Sequence, residues 1–180
     1  MVKHLILING LGSRTLPYRL AATLWKVWGF EVHFFHFNWE DKMESFESKM
    51  QRLTVLSKKF SATGAIGISA GGTAAVNLLA RSPSLTKIVT VGSPYYLVGP
   101  VESHLLTESD KVLQSNLAHF SESAKHKIMS FHGVRDTTVG VRQSRIEGIA
   151  HAQLKSKSHL TTIIYALTLG SAPLRRFLSS

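Results

Sequence analysis

Two kinds of apolar pattern alternate along this chain. Short runs rich in β-branched residues are separated by longer stretches in which apolar residues return every three or four positions. The first kind suits a buried strand and the second an amphipathic helix. Their alternation is the signature of a parallel sheet covered by helices. Residues 5–9 are predicted as the first strand and 10–13 (Gly-Leu-Gly-Ser) as the turn leaving it. Residues 15–28 are predicted as a helix in which Leu20, Leu24 and Val27 share a stripe, Pro17 sits in the first turn and Gly29 ends it. Residues 31–37 form a second strand. The helix predicted for 41–60 places Met43, Phe46, Met50, Leu53 and Leu56 at intervals of three and four.

The third strand, 64–68, is short and apolar, which suits a central position. A small-residue helix, 71–80, follows and ends before Ser82-Pro83, and 87–92 is the fourth strand. The rhythm breaks over 93–123, which holds Pro94, Gly99 and Pro100 and then a weakly amphipathic stretch with Leu105, Leu106, Val112, Leu113 and Leu117. A fifth strand is predicted at 127–132 and a short sixth at 152–155. A last helix begins at 161–169 and continues, after a break at 170–173, to Phe177. The pattern predicts a three-layer α/β/α sandwich around a mostly parallel sheet of about six strands. No internal repeat or low-complexity linker divides residues 1–180, which are expected to form one domain.

Composition supports a globular chain: 180 residues, 44% hydrophobic and 18% charged. A domain of this size buries roughly 70% of the surface its unfolded chain exposes. There is no cysteine, which excludes disulfides and thiolate metal sites and fits a reducing compartment. The apolar run at 5–8 is shorter than a signal-peptide core, and no run approaches the ~18 residues that span a bilayer. The chain therefore reads as soluble and cytoplasmic.

A net charge of +10 suggests nucleic acid, an anionic membrane surface or an acidic substrate as partner, or a source whose proteins are basic in general. The cations at 125, 127, 135, 142, 145, 155, 157, 175 and 176 are scattered, and no nucleic-acid-binding motif accompanies them. Specific nucleic-acid recognition is not supported. Weak association with an anionic surface stays open.

Four segments carry the candidate chemistry. Gly67-Ile68-Ser69-Ala70-Gly71-Gly72 lies between a predicted strand and a predicted helix, as a GxSxG nucleophile elbow requires. There a strained turn holds serine Oγ at the sheet's carboxyl edge, and the following helix turns its positive end toward developing negative charge. His132-Gly133-Val134-Arg135-Asp136-Thr137-Thr138-Val139 follows the fifth strand. Asp136 is one of three aspartates in the chain, the others being Asp41 and Asp110, and an ordinary exposed turn aspartate is the alternative. His159 lies between the last strand and the last helix, with His151 as its rival. Asn9-Gly10-Leu11-Gly12 leaves the first strand. It lacks the third glycine of a dinucleotide-binding loop, because position 15 is Thr.

Together these segments resemble the α/β-hydrolase superfamily, in particular its small lipase- and esterase-like serine hydrolases, over most of the chain from Lys3 to Phe177. The family's chain order of serine, aspartate and histidine matches Ser69, Asp136 and His159. The family usually has eight strands, and this chain begins at what resembles the third, so the resemblance implies a trimmed sheet in the order 2-1-3-4-5-6. It further implies an oxyanion hole from the Leu11 and Ala70 N–H groups, with Asn9 where histidine is common. One such donor typically contributes about 3–4 kcal/mol to transition-state stabilisation. Residues 89–95 look like the segment after the fourth strand in lipase-like members.

The implied activity is cleavage of a carboxylic ester, or of a thioester or amide, through an acyl-enzyme on Ser69, with no metal or organic cofactor and a small acyl compound as partner. Residues 93–123 are expected to be either a small cap or an ordinary packed connection. As a cap they would supply Tyr95, Tyr96 and Leu105 to an acyl chain. A non-catalytic binding protein of the same fold, or a basic protein peripheral to lipid or RNA, is the competing class. His33 and His36 stand three apart on a strand, project to opposite faces and cannot share a metal, so no metal site is expected.

Overall fold

The computed structural model describes residues 2–12, 16–98 and 103–180. Ser13 of the expected first turn, Thr15 at the expected start of the first helix, and residues 99–102 of the expected cap lie outside the described residues.

Six parallel strands form one sheet: β1 (Lys3–Ile8), β2 (Phe30–Phe35), β3 (Gly64–Ile68), β4 (Lys87–Val91), β5 (Ile128–Gly133) and β6 (Ala150–Leu154), in the spatial order β2-β1-β3-β4-β5-β6. This is the order that the resemblance implied. Successive side chains of a strand point to opposite faces, and both faces are apolar here. Ile6, Ile8, Ala65, Ile88 and Ile128 pack under one helical layer, built from α2 (Phe46–Lys59), α3 (Gly71–Leu79) and α4 (His104–His119). Leu5, Leu7, Ile66, Ile68, Val89, Val91 and Phe131 pack under the other, built from α1 (Leu16–Leu24), α6 (His159–Leu167) and α7 (Ala172–Ser179). A single turn, α5 (Glu122–Lys125), precedes β5.

The strand order creates the crevice that matters. From β1 the chain moves outward to β2, then returns past β1 to β3, so the connections leaving β1 and β3 run to opposite faces of the sheet. At such a switch point the carboxyl ends of adjacent strands are left uncovered, and open α/β sheets bind ligands there.

Local chemistry moved several predicted boundaries. The helix predicted for 41–60 begins only at Phe46, because Ser45 caps it by accepting a hydrogen bond from Ser48 N–H at 3.2 Å. Residues 41–45 form a loop tied to the buried Lys49, whose Nζ donates to Asp41 at 2.8 Å and Glu44 at 3.0 Å. Met43 falls in that loop and is 96% exposed. The first helix tightens to a 3-10 turn at Trp25–Trp28 and ends on Gly29 in the left-handed conformation. Trp25 fixes this end by donating from its indole N–H to the Leu167 carbonyl at 2.9 Å.

Within 93–123 the described residues contain α4, a 16-residue helix capped by Ser103. Its Leu105, Leu106 and Leu113 enter the core, and Ser109 meets Thr73 of α3 at 2.5 Å. That helix therefore belongs to the layer over the sheet. No helix among the described residues is long and apolar enough to cross a membrane.

Candidate active site

Three strand exits converge at the carboxyl edge of the sheet. Ser69, the residue after β3, has φ 51°, a left-handed conformation that is strained for a residue with a Cβ. Its N–H donates to the Val91 carbonyl at 2.9 Å, and its own carbonyl accepts from Gly72 N–H at 2.9 Å as α3 begins. The turn is closed by near-contact of backbones. A Cβ at Gly67 would collide with the Gly71 carbonyl, one at Gly71 with the Ile8 carbonyl, and one at Gly72 with the Ser93 hydroxyl. Ala70 N–H, at the positive end of α3, is not taken by a loop or turn hydrogen bond among the described residues.

The exit of β1 is pinned by Asn9, which is buried. Its Oδ1 accepts from Phe37 N–H at 2.6 Å, and its Nδ2 donates to the carbonyls of Gly10 at 2.8 Å and Phe37 at 3.2 Å. The Asn9 carbonyl in turn accepts from the Trp39 indole at 3.0 Å. This holds Gly10 against the serine: a Cβ on Gly10 would lie 2.7 Å from Ser69 Cβ and 3.4 Å from Ser69 Oγ. Leu11, the next residue, is half exposed.

The exit of β5 carries Asp136, whose side chain is 0% exposed. Oδ1 accepts from the N–H groups of Thr138 and Val139, each at 3.0 Å. Oδ2 accepts from Nδ1–H of His159 at 2.7 Å. His159 is the first residue of α6, held there by a capping box between Ser158 and Thr161. The imidazole lies over Gly92, just past β4 with φ 57°, where a Cβ would be 3.0 Å from His159 Cε1 and 3.5 Å from Asp136 Oδ2. Because Ser69 N–H bonds to Val91, the serine and Gly92 are side by side. Ser69, Asp136 and His159 are therefore brought to one place. Among the described residues the serine hydroxyl itself forms no hydrogen bond, and such contacts are often long in unliganded sites and tighten around substrate.

His151, the rival histidine, lies within β6 opposite Ser130, and its Nε2 is engaged by Ile146 at 3.0 Å. A third histidine, His132, is buried in β5 with neither ring nitrogen partnered among the described residues. Burial, then the charges of Arg145 and His151, hold its pKa below the ordinary 6.5, against a smaller opposing pull from Asp136.

Two expected substrate contacts are corrected. Tyr95 is 1% exposed, and its hydroxyl is bonded to Thr90 at 2.8 Å; burial pushes its phenol up to about 12. Leu105 is buried on the core side of α4. The apolar pull of the core outweighs exposure to a ligand for both. Tyr96 is 40% exposed and stays accessible. An apolar groove of about 530 Å³ lies between α1 and α6, lined by residues including Leu20, Leu24, Ile164 and Leu167; Ser69, Asp136 and His159 are not among its lining residues.

Sequence reasoning missed Gly92 and the two backbone donors at 138 and 139. A glycine directly after a strand, and an aspartate followed two and three residues on by the N–H groups it can accept from, were the available signals. Among the described residues, one group of His and Glu side chains has metal-ligand spacing, His4, Glu31 and His33, and it stands toward the opposite end of the sheet.

No protein-family model matches the chain, and no curated protein matches it in sequence. Solved structures match it in fold. The esterase domain of a Rhodothermus marinus protein superposes with a TM-score of 0.70 at 14% identity, covering 98% of this chain and 88% of that one. The enol-lactonase of Burkholderia xenovorans LB400 gives 0.69 at 15% identity over 100% and 92%. Est1E of Butyrivibrio proteoclasticus gives 0.68 at 12% identity over 99% and 87%.

Proposed function

We propose that this chain, which has the α/β-hydrolase fold, is a serine hydrolase acting on a carboxylic ester, with thioesters and amides open to the same machinery. The observation that carries the reading is the hydrogen bond of 2.7 Å from His159 to the buried Asp136, laid over Gly92 beside a serine in a strained turn.

In this mechanism Asp136 fixes His159 with its proton on Nδ1, which leaves Nε2 as a base. Ser69 Oγ bonds to the substrate carbonyl carbon while Nε2 takes the hydroxyl proton, and the carbonyl π pair moves onto oxygen. The N–H groups of Leu11 and Ala70 serve as the oxyanion donors. The carbonyl re-forms as the bond to the leaving oxygen breaks, and that oxygen departs as an alcohol carrying the proton from His159. Water repeats the sequence on the acyl-enzyme, giving the acid and free Ser69. The solved structures matched above include an esterase domain and an enol-lactonase, in keeping with acyl-oxygen cleavage.

Hydrolysis of p-nitrophenyl esters of graded acyl length tests this reading. Turnover that depends on Ser69 and shows an initial burst supports it. A folded wild-type chain with no turnover on any ester, thioester or amide in the panel contradicts it and returns weight to a non-catalytic binding protein.

A further inference from the structure

We infer that His4, Glu31 and His33 form a binding site for a divalent transition-metal ion of the zinc class, built across the β1–β2 edge of the sheet and independent of the active site. β1 and β2 run parallel with His4 opposite Glu31. Residues two apart on a strand share a face, so Glu31 and His33 project together beside His4. The outcome is three donors of the types that zinc takes, two imidazole nitrogens and a carboxylate, with ligand atoms all within 4.8 Å of one another.

The spacing matches a shared ion. His4 Nδ1 and His33 Nε2 share a hydrogen bond of 3.0 Å, and His4 Nδ1 is 3.8 Å from Glu31 Oε2. With bonds of 2.0–2.1 Å, these separations subtend about 95° and about 135° at the metal, which bracket the tetrahedral angle. An ion takes the place of the proton between the two nitrogens: the His4 ring turns and the donors shift by a few tenths of an ångström to reach it, and a water completes the fourth position. The His33 ring is held in place: it stacks on Phe60 at the end of α2 with centroids 3.6 Å apart and planes 11° from parallel, and the His4 ring lies beside it, near-parallel, with centroids 5.3 Å apart. Arg19 and Lys26, which line one groove with His33, and Lys59 at the Phe60 ring oppose the ion, and the Glu31 carboxylate offsets part of that charge.

His4 is six residues before Gly10 along β1, about 20 Å from the active-site end at the usual strand rise. An ion here joins the first strand to the edge strand, and its role is structural: it stabilises the folded state by binding that state alone.

Titration of the untagged chain with ZnCl2, followed by calorimetry after chelator treatment, is the test. One ion per chain is expected, together with a rise in melting temperature. His33→Phe keeps the stacking on Phe60 but removes a ligand, and Glu31→Gln, on a partly exposed strand position, removes the charge. Each should weaken binding at least tenfold, in line with what even indirect perturbation of metal ligands costs, while His36→Ala binds like wild type. Absence of stoichiometric binding, or equal binding by both ligand variants, would overturn the inference. Labelling of Ser69 by a fluorophosphonate should be the same in Glu31→Gln as in wild type, so failure of either proposal leaves the other standing.

Discussion

The carboxylate of Asp136 divides its two oxygens between two tasks: Oδ1 accepts from the backbone of Thr138 and Val139, and Oδ2 accepts from His159. The backbone bonds fix the carboxylate, and the carboxylate fixes the imidazole tautomer. Asp136→Asn should keep the first set and lose the second function, because the amide presents a donor where an acceptor is needed. Ester turnover is expected to fall by about 10⁴ with the melting temperature little changed. Comparison of kcat with the thermal melt separates the two effects.

Gly92→Ala should reduce turnover through His159. The position has φ 57°, and an added Cβ would stand 3.0 Å from the imidazole. Left-handed backbone costs an L-residue about 1–2 kcal/mol, so a modest loss of stability should accompany a larger loss of kcat. Loss of stability alone, with kcat intact in the folded fraction, would mean that the ring does not need its place over β4.

Asn9→Ala should destabilise the fold and, on the proposed mechanism, the segment that carries the Leu11 N–H. Phe37 N–H and the carbonyls of Gly10 and Phe37 lose the Asn9 side chain, and a stranded buried polar group costs about 1–3 kcal/mol. Urea denaturation measures the first effect. A drop in kcat larger than that of an equally destabilised core variant measures the second.

Stability should fall in acid through His132 and His33. Both have folded-state pKa values below the ordinary 6.5, chiefly from burial. As pH falls through 6.5 the unfolded chain takes up these protons first, so unfolding is favoured from there down to the lowered folded values. Their contribution is intact above 6.5. His132→Phe removes one of the two groups and two buried nitrogens that have no partner among the described residues. Its melting temperature should fall less than that of wild type between pH 7 and pH 5, with the remaining slope carried partly by His33.

The sheet was legible because its inner strands are largely buried on both faces. Leu5 to Ile8 and Gly64 to Ile68 have no solvent side to supply polar residues, so they read as unbroken apolar runs. The elbow was legible for a related reason: strain at Ser69 is tolerated only where Gly67, Gly71 and Gly72 let backbones touch, and glycines at fixed offsets survive in the sequence as a motif. What could not be read depends on contacts between distant segments. Met43 continued a helical period that Ser45 interrupts. Tyr95 looked like a ligand contact until the core claimed it through Thr90. His4 and Glu31 are 27 residues apart, and only the parallel register of β1 and β2 makes them neighbours.

The central claim is that Ser69 is an activated nucleophile, and the most direct test is labelling of wild type, Ser69→Ala and His159→Ala by a fluorophosphonate probe, with circular dichroism to establish that all three fold. The account predicts covalent labelling of wild type, none of Ser69→Ala and strongly slowed labelling of His159→Ala. Wild-type protein that is folded yet unlabelled, or labelling that persists without Ser69, would contradict it.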